Sequence, residues 1–439
     1  MVTELSANGP AVDCAGEIQT GPLRAKRPLP RILGFLKGFL LIAPFAFLLV
    51  AFLMSLVGGA LKHGGPANSQ LDGDFAMFYT ATQVSQAHGN PYNPPLLLRS
   101  ETRLMRQQHI RMTIPPALVR VGNPQIFFWA LGPITRLHYR LAGWLWFGFM
   151  ALATAIGGLA AMRIAGWKLR VVPLLLFLSM PVTAIGYYVG NDISLVFMGL
   201  MLGLLAARRY PVLAGALMAV AWLMPSVTFP LVMLIVLFHV KDRRSVLAGL
   251  VLASIALAIL TLVVLGSGSF VEWVGGLSRY SRDIASQLEI APLSGLYVGR
   301  TSPAVRTILE AASIAVALSL TLWWWVRNGG NQTSFARTGW LWFAWFLATP
   351  YAHGPDVVLL TVPILVMLGR NARHILRFPA APTLYLLFVA DSVFPFQMGP
   401  PCLLLTMVCC IRASRKWPEK ENFSGVERDE SAPLSLAMA

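Results

Sequence analysis

The chain has 439 residues, 56% of them hydrophobic and only 12% charged, with 35 Lys+Arg against 19 Asp+Glu and a formal net charge of +16 at pH 7. Soluble domains carry about a quarter charged residues, so the composition excludes an ordinary soluble enzyme and points to a polytopic membrane protein. The basic residues stand in short clusters between apolar runs, the pattern of cytoplasmic loops, so the excess charge reads as topology and no nucleic-acid partner is expected.

Several apolar runs approach or exceed the ~20 residues that cross a bilayer. They are continuous rather than alternating, which selects helices over a closed barrel. Residues 1–31 are polar and end in Arg24, Lys26, Arg27 and Arg31; this tail is expected in the cytoplasm, with Ile32–Val57 as a retained first span running outward. The region 59–123 then forms a first outer loop, periplasmic or extracellular. Within it, short amphipathic helices are predicted over Phe75–Ala87 and Pro94–Ile110, separated by the turn-rich break Gly89-Asn90-Pro91-Tyr92-Asn93-Pro94. Pro124–Leu137 is too short for more than a half-span or interfacial helix.

Further spans are predicted near 139–162, 170–188, 191–207, 210–224, 225–239, 245–265, 303–326, 335–350, 354–369, 376–391 and 394–412, about twelve with the first. Leu223-Met224-Pro225 reads as the break of a helix hairpin. The membrane domain thus covers 32–413, with a second outer loop at 266–302 and a polar, disordered cytoplasmic tail at 414–439. In this layout both termini lie in the cytoplasm of a multi-pass plasma (inner) membrane protein. The clusters Arg163/Lys168/Arg170, Arg208/Arg209, Lys241/Arg243/Arg244, Arg327, Arg370/Arg373/Arg377 and Arg412/Arg415/Lys416 all fall inside. The four cysteines show neither a disulfide framework nor metal-ligand spacing.

Acids are scarce, so Asp72 and Asp74, two residues apart just beyond a span, are the first candidates for chemistry. A carboxylate there can act as a general base on a hydroxyl or help to hold a divalent cation; equally, an Asp ahead of Phe75 suits a helix cap. Arg99, Arg103 and Arg106 fall at i, i+4 and i+7, presenting three guanidinium groups on one helical face. They can bind a lipid phosphate or simply attract anionic head groups. His353 and Asp356, in a turn broken by Pro350, Gly354 and Pro355, are either site residues or a snorkelling His and a capping Asp. Asn191 and Asp192 start a span, where capping alone also accounts for them. Nucleotide-phosphate loops, dinucleotide fingerprints and H-E-x-x-H are lacking, which argues against an ATP-driven pump.

Asp74-Phe75-x-x-Phe78-Tyr79-x-Ala81, followed by Gly89-Asn90-Pro91-Tyr92-Asn93-Pro94, resembles the signature of glycosyltransferase family 87, roughly D-F-x-x-Y-Y-x-A-A and then G-x-x-P-Y-D-P. Asn123-Pro124-Gln125-Ile126-Phe127-Phe128, Gly190-Asn191-Asp192 and Thr349-Pro350-Tyr351 with Asp356 resemble later stretches of the same family. The resemblance runs from about Asp72 to about Leu368. It implies an all-α, GT-C type membrane bundle with its site on the outer face. It also implies a sugar donor on polyprenyl phosphate, mannose by default, and an inverting transfer to a lipid or glycan acceptor. Asp74 takes the place of the base, with Asp72 as a second acid, Tyr79 and Tyr92 as further site candidates, and cationic side chains on the leaving phosphate. No cofactor is implied, although the Asp72/Asp74 pair leaves a divalent cation open. The sequence departs from the family pattern at Phe78, at Asn93 for Asp, at Asn191-Asp192 for Gln, and at Met224, where a Lys often precedes the Pro. The main alternative is a transporter or flippase of a lipid-linked or small anionic substrate. Such proteins usually place polar groups at the bilayer midplane across inverted repeats, whereas here the candidates crowd one face.

Overall fold

The computed structural model describes residues 73–109, 121–167, 189–284, 293–297, 300–350, 352–370 and 399–415, with scattered positions between 169 and 187. Asp72, the tail 1–31, the expected span Ile32–Val57, most of the span near 170–188, the span near 376–391 and residues 416–439 lie outside the described residues. Every regular element among the described residues is helical.

Helices α1 (Asp74–Gln86) and α2 (Pro94–Gln108) occupy the expected first outer loop. The expected amphipathic character of the first is corrected: Phe75 to Thr82 are buried without interruption, so α1 is a core helix. Its aromatic side chains make this possible. Phe75 stacks on Tyr139 and Trp146 with centroids 5.8 and 6.0 Å away, and Phe78 meets Phe127 edge-on at 5.3 Å. Helix α2 is amphipathic as expected, with Leu97, Glu101, Leu104 and Met105 inside. The Asn93 side chain accepts from the Leu96 N–H at 3.4 Å, Pro94 and Pro95 fill the first turn where no donor is needed, and His109 ends the helix in the left-handed region.

Two short helices, α3 (Gln125–Ala130) and α4 (Gly132–Thr135), then double the chain back, far too short to span. They lead into α5 (Tyr139–Ile164), α6 (Ile193–Ala206) and α7 (Pro211–Met218), which tightens into a 3-10 turn over Ala219–Leu223. Met224 leaves the helical region at φ −138°, ψ 65° and Pro225 starts α8 (Pro225–Phe238), so the expected break is present. The residue before a proline is driven to that region by a clash with the ring. After α9 (Arg243–Leu265) comes α10 (Gly268–Ile284), a helix within what was expected to be the second outer loop. Then follow α11 (Ser294–Tyr297), α12 (Pro303–Arg327), α13 (Phe335–Ala348), a 3-10 helix Gly354–Leu360 running into α14 (Thr361–Arg370), and α15 (Gly399–Arg415).

Among the described residues three helices are long and apolar enough to cross a membrane: α5, α9 and α12. The other apolar helices run 10–17 residues. The described residues therefore support an all-α membrane protein, with three of its helices long and apolar enough to span. Large apolar side chains stay exposed along these helices, Val263 at 78% and Ile308 at 66%, as a lipid-facing surface requires.

The buried side chains form two clusters. One gathers α6, α7, α8, α13 and α14 around Phe197, Phe238 and Trp342. The other gathers α1, α2, α3 and the first half of α5 around Phe75, Phe128 and Trp146. Helices α7 and α9 cross backbone to backbone: a Cβ on Gly215 would overlap the Val246 carbonyl, and one on Gly249 the Val212 carbonyl. Small residues at such a crossing allow close packing where lipid offers no hydrophobic drive. Gly215→Leu should therefore force the pair apart and cost about 1–3 kcal/mol or more. Gly148→Ala should cost little, since a Cβ there meets nothing within 4 Å. Thermal unfolding of the two variants in detergent checks this; equal melting temperatures would refute the close crossing.

Candidate active site

The site starts at the N-terminus of α1. Gly73, in extended backbone, occupies the cap position without a side-chain bond, so Asp74 is the first helical residue and not the cap. The turn before α6 lies directly on this end. A Cβ on Gly73 would stand 2.6 Å from the Val189 carbonyl oxygen, and one on Gly190 would stand 2.8 Å from Phe75 Cβ. Gly190 also has φ +76°, a region that costs other residues strain. The Phe75 N–H donates to the Val189 carbonyl at 3.3 Å, and Trp146 Nε1 donates to the Gly190 carbonyl at 2.8 Å.

Asn191, next along, is thereby aimed at Asp74. Its Nδ2 donates to Asp74 Oδ2 at 2.6 Å while its Oδ1 accepts from the Ile193 N–H at 2.8 Å. The amide is held at both ends, and its orientation follows from those partners. Asp192 faces the other way into the protein. It is 3% exposed and accepts from Asn123 Nδ2 at 2.7 Å. Asp192 stands ahead of the first residue of α6. Burial first, and then the charges of Asp74 and Asp356, push its pKa from the ordinary 3.8 to about 8, against the pull of its hydrogen bonds.

The third carboxylate comes from the far end of the chain. Asp356 is completely buried and accepts from the His353 N–H at 2.8 Å. The His353 side chain accepts from the Asp356 N–H in return. The capping alternative for this pair is therefore correct. Yet Asp356 also belongs to the charge cluster, and its Oδ1 is buried without a hydrogen-bond partner. Burial pushes the half-buried His353 down to about 4, so the ring is neutral at pH 7.

The structure thus brings Asp74, Asn191, Asp192, His353 and Asp356 together. Tyr79 and Tyr92 support the frame. The Tyr79 hydroxyl donates to the Thr135 and Leu137 carbonyls, each at 3.1 Å. The Tyr92 hydroxyl donates to the Asn123 carbonyl at 2.7 Å, and burial holds its pKa well above 10. Arg99, Arg103 and Arg106 share the exposed face of α2. Asn123 is the residue that site prediction from sequence missed. Beyond Asp192 it also reaches the Leu223 carbonyl, at the broken helix, at 3.5 Å. Its local signals are a polar amide between Gly122 and Pro124 and its place at the head of the family-like stretch Asn123–Phe128. Among the described residues no group of three His, Cys, Asp or Glu side chains is arranged to hold a metal ion. Chemically, the arrangement offers one accessible carboxylate, oriented by an amide and backed by two enclosed acids, as a proton acceptor.

A carboxyl whose folded pKa lies above its unfolded value keeps a proton that the unfolded chain releases. Stability conferred by Asp192 is therefore full below about pH 4 and lost as pH rises toward 8. Asp192→Asn should flatten the fall in melting temperature between pH 5 and pH 8.5. An unchanged slope would show that Asp192 does not titrate as its burial requires.

No curated protein and no solved structure matches the chain. The family model of glycosyltransferase family 87 matches residues 123–350. That stretch holds Asn123, Asn191 and Asp192 and begins after Asp74, which the Asn191 amide ties to it. With just over half of its length matched, on an all-helical frame with membrane-crossing helices, the chain belongs to glycosyltransferase family 87.

Proposed function

We propose that this glycosyltransferase takes its sugar, a hexose or pentose with mannose as the default, from a polyprenyl-phosphate donor. It passes the sugar to a lipid or glycan acceptor at the outer membrane face, with inversion and with Asp74 as the base. The observation that carries the assignment is the 2.6 Å hydrogen bond from Asn191 to Asp74, beside two enclosed acids. Asp192 and Asp356 are shut away from any substrate, whereas Asp74 is only half-buried. Burial and the charges of Asp74 and Asp356 raise the pKa of Asp192, and Asp74 is the least enclosed of these three acids.

In this scheme the acceptor hydroxyl gives its proton to Asp74 as its oxygen forms a bond to the anomeric carbon. The bond from that carbon to the phosphate oxygen breaks, and its electron pair leaves with the lipid phosphate. Attack from the face opposite the leaving group inverts the centre. The phosphate needs cationic stabilisation; Arg99, Arg103 and Arg106, exposed on one face of α2, are the groups we assign to draw it in. We assign no cofactor.

Transfer of radiolabel from polyprenyl-phosphate mannose in membranes tests the assignment. Asp74→Asn should lower the rate by at least about 100-fold at normal expression, the scale of a lost general base. Asn191→Ala leaves the carboxylate but releases its orientation, and should cost up to about 100-fold. Undiminished transfer in Asp74→Asn would sink the base assignment, and movement of the lipid without a covalent product would favour a transporter.

A further inference from the structure

We propose that a cavity at the opposite end of α1 is a saccharide subsite that receives the glycan part of the acceptor. The inference rests on the glycosyltransferase reading but not on Asp74 being its base. Twelve residues at about 1.5 Å each place Gln86 roughly 18 Å along α1 from Asp74. There the end of α1, the α3–α4 turn, the end of α9 and the start of α10 enclose a cavity of about 690 Å3, within the size range of small-molecule sites.

Its wall combines four features. Gln125 is nine-tenths buried; its Nε2 donates to Ser85 Oγ at 3.3 Å, while its Oε1 is enclosed with no hydrogen-bond partner. Trp129 is 48% exposed and offers a flat apolar face. Arg136 and Glu272 also line the cavity, and among the described residues neither forms an ion pair.

A sugar matches this mixture: its hydroxyls donate to Glu272 and accept from Arg136, while its C–H face lies on Trp129. An acyl chain would leave Arg136 and Glu272 unsatisfied. A nucleotide would bring its phosphates against the Glu272 carboxylate. The location agrees. The cavity begins where the membrane-crossing helix α9 ends, at Val264 and Leu265, which is the depth at which sugars carried on a lipid emerge. Asn123-Pro124-Gln125 joins the two places, with Asn123 on Asp192 and Gln125 in the cavity.

Photo-crosslinking of the purified full chain in detergent tests this, with diazirine-bearing neutral trisaccharides of mannose, glucose, galactose and arabinose as probes. At least one should label residues 125–136 or 264–272 saturably. Glu272→Gln should weaken labelling by about tenfold with little change in melting temperature, and Trp129→Ala should weaken it by about tenfold while the folded chain is still competent for labelling at other sites. Trp129→Phe, which keeps a flat face, should retain it. Asp74→Asn should label normally, which separates failure of this subsite from failure of the base assignment. Lack of saturable labelling with all four sugars would overturn the proposal. So would labelling indifferent to both substitutions, or displacement by phosphatidylglycerol vesicles but not by unlabelled trisaccharide.

Discussion

The contact on which the site depends is one of backbone against backbone, where Gly73 and the Val189-Gly190 turn meet with no side chain between them. A methyl group at either glycine would separate the start of α1 from the start of α6 and withdraw the Asn191 amide from Asp74. A single hydrogen bond such as Phe75 N–H to Val189 contributes only about 0.5–1.5 kcal/mol. What holds the two ends together is the aromatic pile beneath them. Phe75 lies between Tyr139 and Trp146, and Trp146 turns its indole N–H to the Gly190 carbonyl. Each such buried ring is worth roughly 1.5–3 kcal/mol, so packing sets the geometry that the polar groups then use.

Electrostatics follows from that packing. A chain with few acids draws three of them, Asp74, Asp192 and Asp356, into one another's field at the ends of separate helices. Enclosed carboxylates near a like charge give up their own, and Asp192 does so with a pKa near 8. Asn123 donates to Asp192 and the His353 backbone to one oxygen of Asp356, and Asp74 is the least enclosed of the three. Tyr92 and Trp273 anchor the Gly122-Asn123 segment by its carbonyls, tying α2 and α10 to the same cluster. The aromatic residues of the family signature thus serve the site at one remove, as a frame.

Two elements show where local reading stopped. The pattern of α2 was legible because its face is set by its own spacing: apolar Leu97, Leu104 and Met105 inside and three arginines outside. The pattern of α1 was not, because residues 75–82 are buried in one unbroken run, which leaves no polar stripe to betray the helix's orientation. Likewise Asp356 could be identified as a cap from the Gly354-Pro355 turn, but not as a neighbour of Asp192.

By itself the sequence determined that this is an all-helical membrane protein, where its chain breaks at Met224-Pro225 and around Gly89–Pro94, and which family it resembles. Those properties are local: hydropathy over one span, a proline ring against the preceding residue, a short motif. Only the tertiary structure decided which residues join Asp74. The bond from Asn191 to Asp74 spans 117 positions and that from Asn123 to Asp192 spans 69. Contacts across such separations are selected by how helices pack, which no window of sequence contains.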